Sequence, residues 1–342
     1  MSEILLHGTR GNKVENIHRG DIVIVDYKKN IIAYLGDPNK RTFMRSCAKP
    51  IQALSVIESG AASSYDISQK ELALMCASHY AEQFHVDTIA SILKKLGLQE
   101  ENLLCGPTYS INEKVSEALI KTGNSKRRIY NNCSGKHAGM LAISKLKGYE
   151  LSTYNELEHP LQQMMLKSIS EVCEVDKEDI GIGIDGCGVP VVEIPLYNMA
   201  LSFAKLAHSS IFDTVRRNAV DSVVGAMLEY PEMIAGTDGF CTELIKHTHG
   251  KMIGKLGADS VYCIGILEHG IGIAVKIEDG NMRVLSCAVM EVLNQLGYIN
   301  AQEEMALKSF HMIDIINSLN QKVGEVQPVF KLKTPVSPTA VS

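Results

Sequence analysis

The sequence predicts an α+β fold: a mixed or antiparallel sheet built from both chain ends, with covering helices and a mainly helical middle. Three observations lead there. Short β-branched runs cluster near the start, helical periodicity fills the centre, and β-branched runs return in the last third. A chain of 342 residues with 45% hydrophobic and 21% charged residues carries enough apolar material for a sizeable core. That excludes a disordered or fibrous chain.

Each element has its own signal. Asp21–Asp26 and Ile31–Leu35 are strand-like runs around the polar Lys28-Lys29-Asn30, a hairpin pattern. Ser68-x-x-Glu71 and Ser110-x-x-Glu113 have capping-box spacing ahead of apolar periodic segments. Helices are predicted near residues 83–96, 135–147, 159–174, 196–207 and 212–229. Ser260–Leu267 and Ile271–Ile277 flank Glu268-His269-Gly270, a second hairpin signal. A helix near 282–296 ends at Gly297, and Val329–Leu332 reads as a last strand. The pattern predicts one domain over 1–332, its sheet drawn from about 14–40 and 251–332 and its helical part from about 50–250, with a frayed tail over 333–342.

Charge and composition narrow the function. Net charge is −5 and no basic block occurs, which argues against a nucleic-acid partner. No apolar run reaches the ~18 residues of a membrane helix, so no membrane partner is expected. The first residues lack the basic and apolar regions of a signal peptide. Nine cysteines with no Cys-x-x-Cys read as reduced thiols in a cytoplasmic protein, some of them candidate metal ligands.

Familiar hydrolase, zincin and Walker signatures are missing. Gly181-x-Gly183-x-x-Gly186 matches a dinucleotide fingerprint literally, but Pro190 and Pro195 follow where a helix should open. Ser-x-x-Lys is more informative. On a helix, positions i and i+3 share a face, and a neutral lysine can take the serine proton where burial or a cation lowers its pKa. The pattern occurs at Ser46/Lys49, Ser91/Lys94, Ser144/Lys147 and Ser202/Lys205. The last three fall inside ordinary amphipathic helices. At Ser46, Pro50 pins a helix start close by, because proline is tolerated chiefly in a first turn. A serine there meets the positive end of the helix dipole, which favours an oxyanion.

Three further clusters stand out. Cys76-Ala-Ser78-His79 follows the apolar Leu72–Met75. Asn131-Asn132-Cys133-Ser-Gly-Lys136-His137 joins amides, a thiol, an amine and an imidazole at a helix start. Asp185-Gly-Cys187-Gly is a tight turn with a second thiol. Two thiols can share a zinc, with His137 the conventional third ligand, while buried cysteine is as often a small hydrophobe. Gly254-Lys255-Leu-Gly257 precedes a strand, its glycines suited to a close backbone approach.

In order along the chain, Val14–Arg19, Arg45–Pro50, Cys76–His79, Asn131–Met140, Asp185–Pro190, Pro231–Gly236, Cys241, Gly254–Asp259 and Lys276–Asn281 resemble the rhizobial-type L-asparaginases, the asparaginase II family. The resemblance implies a fold similar to serine β-lactamases, penicillin-binding proteins and glutaminases. It implies hydrolysis of L-asparagine to L-aspartate and ammonia. Its two Ser–Lys pairs fall on Ser46/Lys49 and Ser78/Lys255. Its zinc ligands fall on Cys133, Lys136 and Cys187, so the resemblance names Lys136 where chemistry alone suggests His137. Its substrate positions fall on Arg45, His79, Asn132, Asp185 and Cys241. It also implies a homodimer. Cys47 stands where relatives often have alanine, and Tyr80-Ala81 replaces small polar residues. The implied mechanism is a double displacement: Ser46 attacks the amide carbon, Lys49 takes its proton, and Ser78 tied to Lys255 relays protons or orients the base. Three rivals stand beside it: a zinc amidohydrolase using metal-bound hydroxide, a penicillin-recognising enzyme, and an inert amino-acid-binding module.

Overall fold

A computed structural model describes residues 1–335. The chain forms two compact units, each discontinuous in sequence. The first comprises Met1–Thr42, Pro195–His208 and the segment from His247 onward. The second comprises Phe43–Ile194 and Ser209–Lys246.

The first unit is an antiparallel sheet. Its strands run in the order Ile313–Ile316, Lys322–Pro328, Glu3–Arg10, Lys13–Asp26, Ile271–Ile277, Val261–Ile266 and Met252–Gly257, and Ile31–Leu35 pairs with the second half of Lys13–Asp26. The α+β class and the antiparallel sheet from both chain ends are therefore as the sequence predicts. The Ile22–Val25 run is buried on both faces, and so is all of Val261–Ile266. That double burial explains why these strands read as continuous apolar runs rather than alternations. The second hairpin turns at Gly270, whose φ of 61° is left-handed.

The helix Leu196–Leu206 lies on this sheet at Gly272. A β-carbon there would sit 1.8 Å from the Ala200 carbonyl oxygen, so only glycine permits the contact. Several boundaries differ from expectation. The sheet starts at Glu3, not near residue 14, and its last strand is Lys322–Pro328 rather than Val329–Leu332. Segment 329–332 carries Phe330 into the core instead, and the Val329 N–H still bonds Leu5 O. Lys333 pairs with Tyr34, so the chain stays engaged there; the rest of the expected tail, from 336, lies outside the described residues.

The second unit is mainly helical, with one hairpin of Gly181–Ile184 and Pro190–Pro195. Ser68 caps Gln69–Met75 through the predicted capping box. At the other predicted box the cap is Asn112, whose side chain accepts from Val115 N, because the Ser110 hydroxyl bonds the Tyr80 carbonyl. The helix Ser134–Lys147 packs tightly on Gln69–Met75. A β-carbon at Gly135 would lie 2.2 Å from Leu74 O, and Gly139 sits one turn on against Met75. This close approach brings the end of one helix beside the start of the other. No helix among the described residues is long and apolar enough to cross a membrane.

Candidate active site

The Arg45–Ala48 segment forms one tight 3-10 turn, and the α-helix Lys49–Glu58 follows with Pro50 in its first turn. Proline fits because the first N–H groups of a helix lack intrahelical partners. The sequence placed the helix start near Ser46; the α-helix proper begins three residues later, and Ser46 sits in the preceding turn. Arg45 opens that turn with φ 49°, a left-handed conformation that costs a non-glycine residue about 1–2 kcal/mol. Its guanidinium Nε lies 3.0 Å from Asp185 Oδ1, so an ion pair holds the turn to the Asp185–Gly188 loop.

Lys49 is 1% exposed. Its Nζ lies 2.5 Å from Ala77 O, 3.3 Å from Asn132 O and 3.2 Å from Ser78 Oγ. Two of these partners are carbonyls, which can only accept. Ser78 alone can also donate, so a neutral Lys49 amine would give its two N–H groups to the carbonyls and receive the Ser78 hydroxyl proton. Ser78 itself is fixed by its backbone N–H, which bonds Ile234 O at 2.8 Å. That N–H is therefore unavailable as an oxyanion donor. Ser46 is buried, and its hydroxyl makes no hydrogen bond to the described residues.

A second cluster begins at the N-terminus of Ser134–Lys147. Ligand atoms of Cys133, Asp185 and Cys187 all lie within 4.8 Å of one another. Lys136 Nζ is 3.1 Å from Cys187 Sγ. The tight turn after Asp185, closed by the Gly188 N–H to Asp185 O, brings Cys187 back to this cluster. Hydrogen bonding from the Cys133 thiol and the nearby Lys136 ammonium lower the Cys187 thiol to about 5 against the effect of burial. The same bond and burial push Cys133 up to about 12. Burial disfavours the Lys136 ammonium, but Cys187, Cys133 and Asp185 more than offset that and raise it above the ordinary lysine range. Burial likewise opposes charge on Asp185, yet Lys136 and Arg45 hold the carboxyl below its usual value.

This donor set fits a zinc ion. Thiolates and a carboxylate are ordinary zinc donors; the Lys136 amine is an unusual one, and a bound cation would favour the neutral form that it needs to coordinate. His137 does not join the cluster: Tyr154 Oη lies 2.7 Å from its Nδ1, and burial lowers its pKa to about 3. A small cavity touches Arg45, Lys49, Gln52, Lys136 and Asp185. Lys49 and, from the second cluster, Lys136 and Asp185 thus border one space.

The remaining expected residues are placed as follows. His79 is fully buried; its Nδ1 accepts from Ala81 N, and its Nε2 lies 2.8 Å from Ser134 Oγ. With both ring nitrogens engaged inside the protein, it fixes the Ser78 loop against the Ser134–Lys147 helix. Asn132 meets Lys49 through its backbone carbonyl. Cys241 is buried at the start of the helix Phe240–His247. Burial, with Cys241 and Glu82 nearby, pushes the Tyr80 phenol up to about 12. Lys255 belongs to the other unit, fully buried in the strand Met252–Gly257, where its Nζ donates to Leu256 O at 2.7 Å. Sequence reasoning missed the Ala77 carbonyl, which no side-chain pattern reveals, and Gln52, which does share the helix face of Lys49 at i+3.

Comparison with known proteins adds three findings. The family model described as L-asparaginase II matches residues 6–328. No curated protein matches the chain. Among solved structures, one from Bacteroides dorei DSM 17855 under a beta-lactamase description is 12% identical at a TM-score of 0.42, covering 80% of this chain and 93% of that one. The D-alanine carboxypeptidase AmpC from Burkholderia cenocepacia is 13% identical at 0.37, covering 85% and 92%. The octameric penicillin-binding protein homologue from Pyrococcus abyssi is 15% identical at 0.35, covering 85% and 76%.

Proposed function

From the premise that this chain belongs to the L-asparaginase II family, we propose that it hydrolyses the side-chain amide of L-asparagine to L-aspartate and ammonia through a serine ester. The observation that carries the chemistry is the Lys49 amine, buried and bounded by two carbonyls and the Ser78 hydroxyl. Such an amine is built to accept one hydroxyl proton.

In this reading Ser46 Oγ attacks the amide carbon and its proton passes by way of Ser78 to Lys49. The C–N bond then breaks, and the lysine proton goes to the departing ammonia. Water, deprotonated by the same amine, cleaves the ester and releases aspartate. Arg45 would bind the substrate α-carboxylate and Asp185 its ammonium, with Cys241 and the Asn132 region shaping the site. Cys133, Lys136 and Cys187 would hold zinc, with Asp185 beside them; when bound, the ion supplies positive charge that orients polar substrate groups. The reading extends to a cytoplasmic homodimer; nine buried cysteines with no disulfide among the described residues fit the reducing compartment.

The test is ammonia release from asparagine, glutamine and β-aspartyl substrates, with and without chelator, combined with intact-mass trapping at low pH. A mass gain equal to a β-aspartyl ester on Ser46 supports the mechanism. Turnover with no ester on any serine, abolished by chelator, would overturn it in favour of attack by metal-activated water.

A further inference from the structure

A second cavity lies in the helical unit, away from the residues assigned above. Its volume is about 260 Å³, just under the ~300–1,000 Å³ usual for small-molecule sites and so suited to a small ligand. Its walls come from the C-terminal ends of two helices whose opposite ends build the candidate active site. Ser55 and Glu58 belong to Lys49–Glu58, and Lys147 ends Ser134–Lys147. The helices span ten and fourteen residues, roughly 15 and 21 Å at 1.5 Å per residue.

Two features of this cavity point to a ligand. Ser55 and Ser168, 1% and 3% exposed, both line it, and neither hydroxyl has a hydrogen-bond partner among the described residues. Buried hydroxyls without partners are uncommon because each forfeits its hydration. The rim also carries both signs of charge. Arg216 bridges Glu58 and Glu171, its Nη2 lying 2.9 Å from Glu171 Oε2. Lys147 lines the same space and has no ion-pair partner among the described residues.

We propose that this cavity is a second binding site for a small zwitterion of the α-amino-acid class. The ligand carboxylate meets Lys147, its ammonium meets the Glu58 side and the carbonyl-rich end of the Lys49–Glu58 helix, and Ser55 and Ser168 bond its polar side chain. A ligand of one sign only would leave half of this rim unmatched. The inference stands independently of the amidase mechanism.

The experiment is calorimetric titration of the full chain with the individual L-amino acids and with succinate, on wild type, Ser168→Ala and Lys147→Glu. At least one amino acid is expected to bind wild type with an affinity that falls tenfold or more in both variants, while asparagine turnover without added effector stays unchanged. Ser168→Ala is also expected to raise the melting temperature of the ligand-free protein, because it removes an unpartnered buried hydroxyl. Lys147 is exposed, so its variant tests the site even if Ser168→Ala misfolds. Amino-acid affinities that are all unchanged in the Lys147 variant, or succinate binding as well as the best amino acid, would overturn the proposal.

Discussion

Lys49 Nζ and Ser78 Oγ stand 3.2 Å apart, although the residues are 29 positions apart in the chain. The i+3 pairing of Ser46 with Lys49 is what the sequence displays, but the hydroxyl that meets the amine comes from the loop after Gln69–Met75. The pair exists because Gly135 and Gly139 let Ser134–Lys147 pack against that helix and because Ile234 O fixes Ser78 N.

Lys49→Arg keeps the charge and approximate reach but removes a usable base. Turnover should fall at least a thousandfold at every pH, with aspartate binding retained. A variant with near-normal rate and an unchanged pH profile would exclude the Ser–Lys mechanism.

Ser46→Ala and Ser78→Ala separate nucleophile from relay. Ser46→Ala should eliminate the trapped ester as well as turnover. Ser78→Ala should slow turnover strongly yet still accumulate ester on Ser46. Ester found on Ser78 in the Ser46 variant would reverse the two roles.

Purified protein should carry about one zinc per chain. Cys187→Ser should lower that stoichiometry severely, since it removes the thiol already held as thiolate beside Lys136. Elemental analysis decides: undiminished zinc in the variant places the metal elsewhere.

His79 and His85 stack at 5.2 Å. Burial keeps both neutral, His85 down to about 4 and His79 well below its ordinary value, with their mutual repulsion and Lys49 adding to the effect on His79. The unfolded chain binds protons on both near pH 6.5, while the folded chain does not. Their contribution is therefore fully present above that pH and declines as pH falls toward 4, at roughly 1.4 kcal/mol per pH unit for each ring. Urea unfolding at pH 7, 6 and 5 should show a falling midpoint, and the fall should be shallower in His85→Gln. Equal slopes in the two proteins would remove His85 from the account.

Gly272→Ala should destabilise the sheet unit by at least ~2 kcal/mol, because the added methyl meets the Ala200 carbonyl backbone, which cannot step aside like a flexible side chain. Thermal unfolding within experimental error of wild type would show that the helix shifts freely.

Much of this was legible in the sequence, for identifiable reasons. Strands buried on both faces announce themselves as apolar runs, and the central helices carry strong periodicity. The first strand, Glu3–Arg10, escaped because Leu5 and Leu6 face opposite sides around a register shift and blur the alternation. The last, Lys322–Pro328, escaped because it is mostly polar and only Gly324 and Val326 are buried. At the site, the residue types and clusters could be read, since chemistry restricts them to few kinds. The pairings could not. Lys49 with Ser78 depends on two helices packing through glycines, and the third member of the thiol cluster, Asp185, depends on a turn that folds Cys187 back over it.

The register that joins Leu6 to Pro328 has a consequence for how the protein is made. The first strand leaves the ribosome more than 300 residues before its outer neighbour exists, so during most of synthesis its edge amides face other chains. The helical unit, complete by Lys246, is free to settle first, and the sheet closes only once Lys322–Pro328 has emerged. Nascent chains stalled at residue 300 should therefore protect Phe43–Ile194 and Ser209–Lys246 from protease while the N-terminal strand remains cleavable, and protection of both regions at that length would show that the sheet closes without its last strand.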